Sequence, residues 1–362
     1  MFSKIKCPPI NLLRPKMSNI NKEYNYIDIK ITVGIVTYNR RDFLREAVAS
    51  VLGQSYVNFE LIISNDYVDS EVSLATLEVE NDPRIKIINQ VNNLGETDNM
   101  NYLLNSAKSD WFVWLADDDL LHPEFLMLAT RAILDEKKNS NLVGYFSNYR
   151  AGVDPDGIFP KPITPECLIK TSTMNTREFF EDYTARKKLL IGCYGVMHTE
   201  TLKKIGGMPK LGDSFGPYSD NLIPILLSEY GNISWVDKEL IFLRTHSDSL
   251  SCKSTDFHAY TSAEVDFLDN FKAVCKNVSL NSNQLYIANM VVWFAENELA
   301  VLGRIEEMSK YSAVKKFSLH QIMTNIPRLS FKYKLQHLMF SFFLILNFAV
   351  FRPVKRYIRV FI

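Results

Sequence analysis

The sequence lacks the features that mark several large classes of protein. Its five cysteines, in a chain of 362 residues, form no CxxC pair and no regular framework. This pattern indicates free thiols in a reducing compartment, and it argues against a secreted protein held together by disulfides. Lys and Arg number 41, and so do Asp and Glu, which leaves no net charge to attract nucleic acid. No two glycines lie two positions apart and no GKS or GKT occurs. The dinucleotide-binding and P-loop motifs are therefore both absent.

Near neither end does the sequence contain an apolar run long enough for a signal peptide or a membrane-spanning helix. Residues 1–28 have no unbroken apolar stretch long enough for a signal peptide, and we expect them to form a leader or a loose arm. The nearly all-apolar segment from Leu338 to Phe351 would extend about 21 Å as a helix. That length is less than the hydrocarbon core of about 30 Å, so we do not expect it to cross a bilayer.

The last part of the chain has a composition of its own. Residues 331–362 carry six basic residues and no acidic one. As a helix, this tail would place Val354, Ile358 and Phe361 on one face and its basic side chains elsewhere. The pattern predicts a basic amphipathic tail on an anionic membrane surface. The alternative is a helical pair that packs on the globular body or forms a dimer.

Apolar strand patterns alternate with helical periodicity over the first 150 residues. Such alternation predicts an α/β protein with a mainly parallel sheet flanked by helices, which binds ligands at the carboxyl ends of the strands. The predicted elements are strands at Ile29–Thr37, Phe59–Ser64, Ile85–Ile88 and Trp111–Ala116, and helices at Arg41–Gly53, near Ser70–Glu80, at Asn93–Ser106 and from about Pro123.

The regularity weakens after residue 150, and this divides the chain. The predicted parts are an arm (1–28), a catalytic domain (29–255) with a nucleotide-sugar and metal half (29–150) and an acceptor half (151–255), a helical region (256–330) and the basic tail (331–362).

Three consecutive acids follow the strand Trp111–Ala116. Asp117, Asp118 and Asp119 cannot all stay ionised at close range without a cation. Mg²⁺ and Mn²⁺ prefer oxygen ligands and commonly combine one or two carboxylates with substrate phosphates. The run is equally compatible with an acidic cap of the helix that begins near Pro123, and both interpretations stay open on the run alone.

Several motifs around this run resemble the family 2 glycosyltransferases, whose catalytic domain has the nucleotide-diphospho-sugar transferase fold known as GT-A. The resemblance covers residues 31–251. In chain order the motifs are Val36-Thr37-Tyr38-Asn39-Arg40, Ile62-Ile63-Ser64-Asn65-Asp66, Asn93-Leu94-Gly95 with Asn101, Leu115 to Pro123, Ile205-Gly206-Gly207-Met208, Tyr218-Ser219-Asp220-Asn221-Leu222 and Arg244-Thr245-His246.

The resemblance implies a binding site for a UDP-sugar or dTDP-sugar donor. The first motif would pack around the base, and Asp66 would accept from the imide N–H of uracil or thymine. Asn65 stands where the family has a second acid, and Ala116 where many members have another. The implied donor-binding residues are Val36, Thr37, Tyr38, Asn39, Arg40, Asp66, Asn93, Gly95, Asn101 and Asp117.

The resemblance also implies the metal and the catalytic base. Asp118 would be the main ligand of Mn²⁺ or Mg²⁺. Asp117 would reach the metal or the ribose, and His246 would complete the metal shell or contact the diphosphate. Asp119 and Arg244 would support the site. Asp220 keeps the position of the general base, although Ser219 stands where many relatives have Glu. A single base implies one displacement, which inverts the anomeric carbon.

Two other function classes share parts of this pattern. A sugar nucleotidyltransferase can share the fold and metal, but it usually has a glycine-rich loop after the first strand, where this chain has Tyr38-Asn39-Arg40-Arg41. A non-catalytic scaffold on the membrane surface would keep the sheet without turnover, and the three departures from the family motifs leave it open.

The resemblance implies a single-sugar addition. Processive synthases of the broad family carry QxxRW and several long membrane spans, and this chain has neither. We expect transfer to a lipid-linked oligosaccharide for a bacterial surface polysaccharide of the O-antigen or capsule type. The enzyme would act in the cytoplasm, peripherally on the inner face of the plasma membrane. The sequence makes no prediction of oligomeric state.

Overall fold

The computed structural model describes residues 29–136, 141–153, 171–188, 190–212, 216–246, 249 and 256–279, with four further positions between 286 and 294. The predicted arm, the basic tail and most of the helical region beyond residue 280 lie outside the described residues. Within this part of the chain, no helix is long and apolar enough to span a membrane.

The backbone forms two compact units. Of the described residues, those within 29–176, 188–209 and 226–245 belong to the first unit, and those within 177–187, 210–225 and 246–294 belong to the second. The predicted domain limits stay a prediction.

The strands are β1 (Ile31–Thr37), β2 (Phe59–Asn65), β3 (Ile85–Asn89), β4 (Trp111–Ala116), β5 (Leu120–Leu121), β6 (Leu142–Gly152), β7 (Thr171–Met174), β8 (Val196–His198) and β9 (Asn232–Arg244). The helices are α1 (Arg41–Leu52), α2 (Glu96–Ser106), α3 (Phe125–Glu136), α4 (Thr176–Thr184), α5 (Thr199–Lys204), α6 (Ser219–Ser228) and α7 (Phe257–Asn277).

The described strands of the first unit form one sheet, in the order β3-β2-β1-β4-β8-β6-β9-β5, and β7 also pairs with β9. The pairs β3/β2, β2/β1 and β1/β4 are parallel, as the alternation predicted. β8 is antiparallel to both β4 and β6, whereas β6 and β9 are parallel to each other. The sheet is therefore parallel over its first half and mixed over its second.

The central strands are buried on both faces, as expected for a sheet flanked by helices. Ile31, Val33 and Ile35 of β1 are fully buried, and so are Phe112 and Trp114 of β4. Burying each such side chain contributes about 2 kcal/mol, because apolar surface leaves water. This core fixes the carboxyl ends of β1 and β4, where the polar residues begin.

The helix predicted near residues 70–80 is wrong. The segment consists of turns, and Glu78 has a positive φ of 56°. Asn65 donates to the carbonyl of Ser70, at 2.8 Å, and Asn89 exchanges two hydrogen bonds with the backbone of Val72. These side chains satisfy backbone groups that a helix would otherwise use.

The second unit has an aromatic core. Phe180 of α4 lies 5.1 Å from Phe271 of α7, and Tyr218 lies 5.6 Å from Tyr260, between ring centroids. Asp256 caps α7 by accepting from the N–H of Ala259. This helix of 21 residues lies at the start of the region that was predicted to be helical (256–330).

Candidate active site

The site lies where three parallel strands of the first unit end together. Thr37 pairs with Asn65 across β1 and β2, and Val36 pairs with Ala116 across β1 and β4. This register places the loops that begin at Tyr38, Asp66 and Asp117 at one edge of the sheet. The predicted first, second and metal motifs are therefore neighbours in space.

Asp117 is held by the end of β1. Its Oδ2 accepts from Thr37 Oγ1 at 2.7 Å and from the Tyr38 N–H at 3.3 Å, while its Oδ1 accepts from Arg40 Nη1 at 3.2 Å. Burial raises the pKa of Asp117 to about 6, against the lowering effect of the Thr37 bond and the Arg40 charge. A nearby cation stabilises the charged form of a carboxylate that is so little hydrated.

Asp118 shares that cation. Its Oδ2 accepts from the same Nη1 of Arg40 at 2.9 Å. Two carboxylates thus converge on one positive group, an arrangement that a hard divalent ion can also use. Within the described ranges, no three His, Cys, Asp or Glu side chains gather as a complete metal shell. Asp117 and Asp118 would supply two ligands, and substrate phosphate and water the others.

Asp119 faces into the fold. Its Oδ2 accepts from the buried Tyr194 hydroxyl, and its Oδ1 accepts from the Arg244 N–H at 2.8 Å. Burial, followed by repulsion from Asp118, raises the pKa of Asp119 to about 7. The structure thus brings Asp119 and Arg244 together, and their supporting role stays a prediction.

Arg244 links residues Asp117–Asp119, which we call the acidic loop, to helix α1. Its Nε donates to the carbonyl of Asp118 at 3.0 Å, and its Nη2 forms an ion pair with Glu46. The guanidinium also lies 4.6 Å from the centre of the Phe43 ring. These contacts fix the main chain that carries Asp118.

An exposed apolar surface adjoins the acidic loop. Tyr38 is 52% exposed, and its ring contacts Tyr67 edge-on at 5.2 Å. Val68, Val91 and Leu94, in the loops that follow β2 and β3, are also exposed. Apolar side chains left in water at the carboxyl edge of a parallel sheet indicate a ligand-binding surface.

The first motif, residues 36–40, lies beside this surface and contains one residue in an uncommon backbone conformation. Asn39 has a positive φ of 54°, which asparagine tolerates better than most residues. Arg40 follows and caps α1, with its carbonyl accepting from the Leu44 N–H at 2.9 Å. Val36 and Arg40 are half-buried and Thr37 is buried, so Tyr38 and Asn39 are the most exposed members of the motif.

Asp66 has a structural task that the motif comparison did not foresee. Its two carboxylate oxygens accept from the N–H groups of Leu94 and Gly95 at 2.7 and 2.8 Å. Asn93 also accepts from the Gly95 N–H at 2.8 Å, and Gly95 has a φ of 81° that opens α2. Asp66 therefore shapes the turn between β3 and α2, and its predicted contact with a base stays a prediction.

Asn101 is bonded to a different turn. Its amide donates to the Met208 carbonyl at 3.0 Å and accepts from the Met208 N–H at 2.8 Å. Gly206 and Gly207, just before Met208, both have positive φ. These bonds link α2 to the turn after α5, and they do not point to the predicted contact with a donor.

Gly207→Ala is expected to destabilise the chain more than Gly206→Ala does. A Cβ on Gly207 would lie 2.2 Å from Asn101 Oδ1, whereas one on Gly206 meets nothing within 4 Å. Both changes incur the left-handed backbone cost of about 1 kcal/mol, and Gly207→Ala adds about 2 kcal/mol through the lost Asn101 bonds. Denaturant unfolding measures the difference, and equal losses would contradict the assigned role of Asn101.

Three residues of the site were missed by the motif comparison. Tyr67 packs on Tyr38, Tyr194 bonds Asp119, and Glu46 pairs with Arg244. Each pairing except the first joins residues more than 70 positions apart, so no local spacing reveals it.

His122 accepts from the Glu124 N–H, and burial lowers its pKa to about 4, in keeping with a neutral cap beside the loop.

Asp220 and His246 belong to the second unit. Asp220 lies in the first turn of α6, where burial raises its pKa to about 6 against the lowering effect of backbone N–H groups. His246 is half-buried, and its carbonyl accepts from the Ser249 N–H at 3.2 Å. Their catalytic and metal-binding roles stay predictions.

Comparison with known proteins finds similarity to glycosyltransferases over part of the chain. Residues 32–192 match the model of Glycosyl transferase family 2. An uncharacterized glycosyltransferase of Rickettsia bellii is 29% identical over 40% of this chain and 20% of its own length. A GalNAc(5)-diNAcBac-PP-undecaprenol beta-1,3-glucosyltransferase of Campylobacter jejuni is 26% identical over 41% of this chain and 47% of its own length. The chain thus spans between a fifth and half of the length of these relatives.

A solved structure supports the fold. TarS 1–349 of S. aureus, in complex with UDP-GlcNAc, superposes with a TM-score of 0.50 at 15% identity, covering 83% of this chain and 92% of that one. The predicted fold class, a mostly parallel sheet flanked by helices in the GT-A arrangement, is confirmed. Residues 32–192, which contain the loops of the candidate site, are thus similar to glycosyl transferase family 2.

Proposed function

We propose that this chain is an inverting, metal-dependent glycosyltransferase that moves one sugar from a UDP-sugar or dTDP-sugar to a hydroxyl group of a lipid-linked saccharide. The observation that carries the proposal is the convergence of Asp117 and Asp118 on one cationic group. It occurs at the carboxyl edge of the sheet, beside the exposed Tyr38, and inside the segment that matches the family.

The residues of the first unit have separate tasks in this reaction. Tyr38 and Tyr67 offer a ring surface to the base, and Asp117 and Asp118 hold the cation end of the site. A bound Mn²⁺ or Mg²⁺ would neutralise the charge that builds on the leaving diphosphate. Asp119 and Arg244 keep the acidic loop in place through buried contacts.

Asp220 is proposed as the base that takes the proton of the acceptor hydroxyl. Its pKa of about 6 leaves the carboxylate ionised at neutral pH and more basic than an exposed aspartate. Both properties suit a general base. Attack from the face opposite the leaving diphosphate inverts the anomeric carbon.

The lipid-linked acceptor is supported by two observations outside the site. The Campylobacter jejuni relative is named for transfer to a saccharide on undecaprenyl diphosphate. Residues 331–362 combine an apolar segment with six basic residues, a composition suited to an anionic membrane surface. We therefore propose peripheral action on the inner face of the plasma membrane, in bacterial surface-polysaccharide synthesis.

The donor can be identified by thermal stabilisation. Because a ligand that binds the folded state raises the melting temperature, the purified chain is mixed with Mn²⁺ and a panel of UDP-, dTDP-, GDP- and ADP-sugars. The proposal requires the largest Mn²⁺-dependent shift with a UDP- or dTDP-sugar. A larger shift with a purine nucleotide sugar would overturn the assignment of the base.

Tyr38→Ala is expected to raise the Kd for UDP about tenfold in the presence of Mn²⁺, because stacking on an aromatic ring contributes about 1–3 kcal/mol per base. Isothermal titration calorimetry measures the change. Tyr102→Ala is the matched control, since Tyr102 is also an exposed tyrosine but lies on α2. An equal effect of both substitutions would contradict a base-binding role for Tyr38.

A further inference from the structure

Arg40 holds the two carboxylates from which the cation site would be built. A single nitrogen, Nη1, lies 3.2 Å from Asp117 Oδ1 and 2.9 Å from Asp118 Oδ2. The aspartate side chains are only 5% and 12% exposed, so water neutralises little of their charge. Arg40 supplies that neutralisation from within the chain.

The second oxygen of Asp117 is committed to the fold. Oδ2 accepts from Thr37 Oγ1 and from the Tyr38 N–H. The oxygen that remains for a cation is Oδ1, and this is the atom that Arg40 contacts. A divalent ion and a guanidinium group on the same oxygen would repel each other strongly in so buried a place.

Arg40 can leave without disturbing the backbone. Its side chain is 30% exposed, so part of it already contacts solvent. Its main chain is fixed independently, because its carbonyl caps α1 through the Leu44 N–H. The ion pair is therefore separable from the structure that carries it.

We infer that Arg40 is a built-in counter-ion of Asp117 and Asp118, which a divalent cation displaces when it binds. This inference rests on the proposed function, because it takes the two aspartates as the metal site. Arg40 then acts as a positioning residue. It lowers the affinity of the site for a metal ion, and it offsets the repulsion between the two carboxylates until the metal ion binds.

The test is the affinity of the full-length chain for Mn²⁺ alone, measured from the electron paramagnetic resonance signal of the free ion. Arg40→Gln removes the competing charge, so its Kd for Mn²⁺ is expected to be about tenfold lower than that of the wild type, or about 1.4 kcal/mol. Arg40→Lys keeps a positive charge and is expected to stay closer to the wild type.

Arg41→Gln is the matched control. It changes the net charge by the same amount at the next position, but Arg41 donates to Ser70 and does not contact the acids through any bond that the structure describes. Its Kd is expected to stay within about twofold of the wild type, because exposed charges are screened. Adding Asp118→Asn to Arg40→Gln is expected to abolish the tight binding, which assigns the ion to this site.

The outcomes separate the two proposals. If the wild type binds Mn²⁺ and Arg40→Gln binds no more tightly than Arg41→Gln, the counter-ion role is wrong while the metal site stands. If Arg40→Gln binds Mn²⁺ more weakly, Arg40 assists the metal and the inference is also overturned. If no variant binds Mn²⁺, the metal site of the proposed function fails, and the counter-ion role fails with it.

Discussion

An Asp220→Asn variant is expected to lose turnover by a factor of about 10³ while it binds the donor as well as the wild-type chain. The carboxamide has the size of the carboxylate but cannot accept a proton at neutral pH. Asparagine also caps helices as well as aspartate does. If Asp220 only stabilised the start of α6, the variant would therefore keep its activity.

Asp256→Asn serves as the control for this experiment. Asp256 stands at the start of α7 and accepts from the Ala259 N–H, so it is a helix cap of the same chemical type. Full activity is expected after this change. Loss of turnover in both variants would point to a general effect on the second unit and would contradict the specific role of Asp220.

The pH dependence offers a second measure of Asp220. A base must be ionised to act, and the pKa of Asp220 is raised by burial to about 6. At saturating Mn²⁺, kcat/KM is therefore expected to rise with pH, to reach half its maximum near pH 6 and to level off above about pH 7. A rate that is constant from pH 5 to 8 would contradict this assignment.

An Asp118→Asn variant is expected to lose both Mn²⁺ binding and about 10²–10³ in kcat. The substitution removes one of two charges that converge at the end of β4, and a neutral amide is a poor ligand for a hard cation. Titration with Mn²⁺ and initial rates of donor cleavage measure the two losses separately.

Asp110→Asn is the matched control, because Asp110 immediately precedes β4 at its opposite end and is exposed. This variant is expected to bind Mn²⁺ normally. Wild-type activity and metal dependence in Asp118→Asn would refute its role as the main ligand and would leave the acidic run as a helix cap.

The first half of the sheet was predictable because its strands are apolar runs with sharp ends. β4 was predicted as Trp111–Ala116, and the structure has the same limits. The predicted helix at Arg41–Gly53 is α1, which ends at Leu52 with Gly53 as its cap. In both places, burial and turn chemistry act over a few residues, so local pattern suffices.

The second half could not be derived in the same way. β8 has only three residues and pairs antiparallel between β4 and β6, a position that no alternation of strands and helices specifies. The turns at 70–80 depend on Asn65 and Asn89, whose side chains come from neighbouring strands. Such contacts between distant residues override the local preference.

The site shows the same division between local and long-range information. The motifs predicted that Tyr38, Arg40, Asp117 and Asp118 lie at one edge of the sheet, and the structure places them there. The individual bonds were not predictable, since Arg40 and Asp118 are 78 positions apart. The bonds of Asp66 and Asn101 to backbone turns also became visible only in the fold.

Cleavage of a nucleotide sugar by the purified full-length chain tests the central claim most directly. With Mn²⁺ and a UDP- or dTDP-sugar, the chain is predicted to release the nucleoside diphosphate, faster when a lipid-linked saccharide is present and not at all after chelation of the metal. Formation of pyrophosphate from a nucleoside triphosphate and a sugar 1-phosphate, or no Mn²⁺-dependent release from any donor, would contradict it.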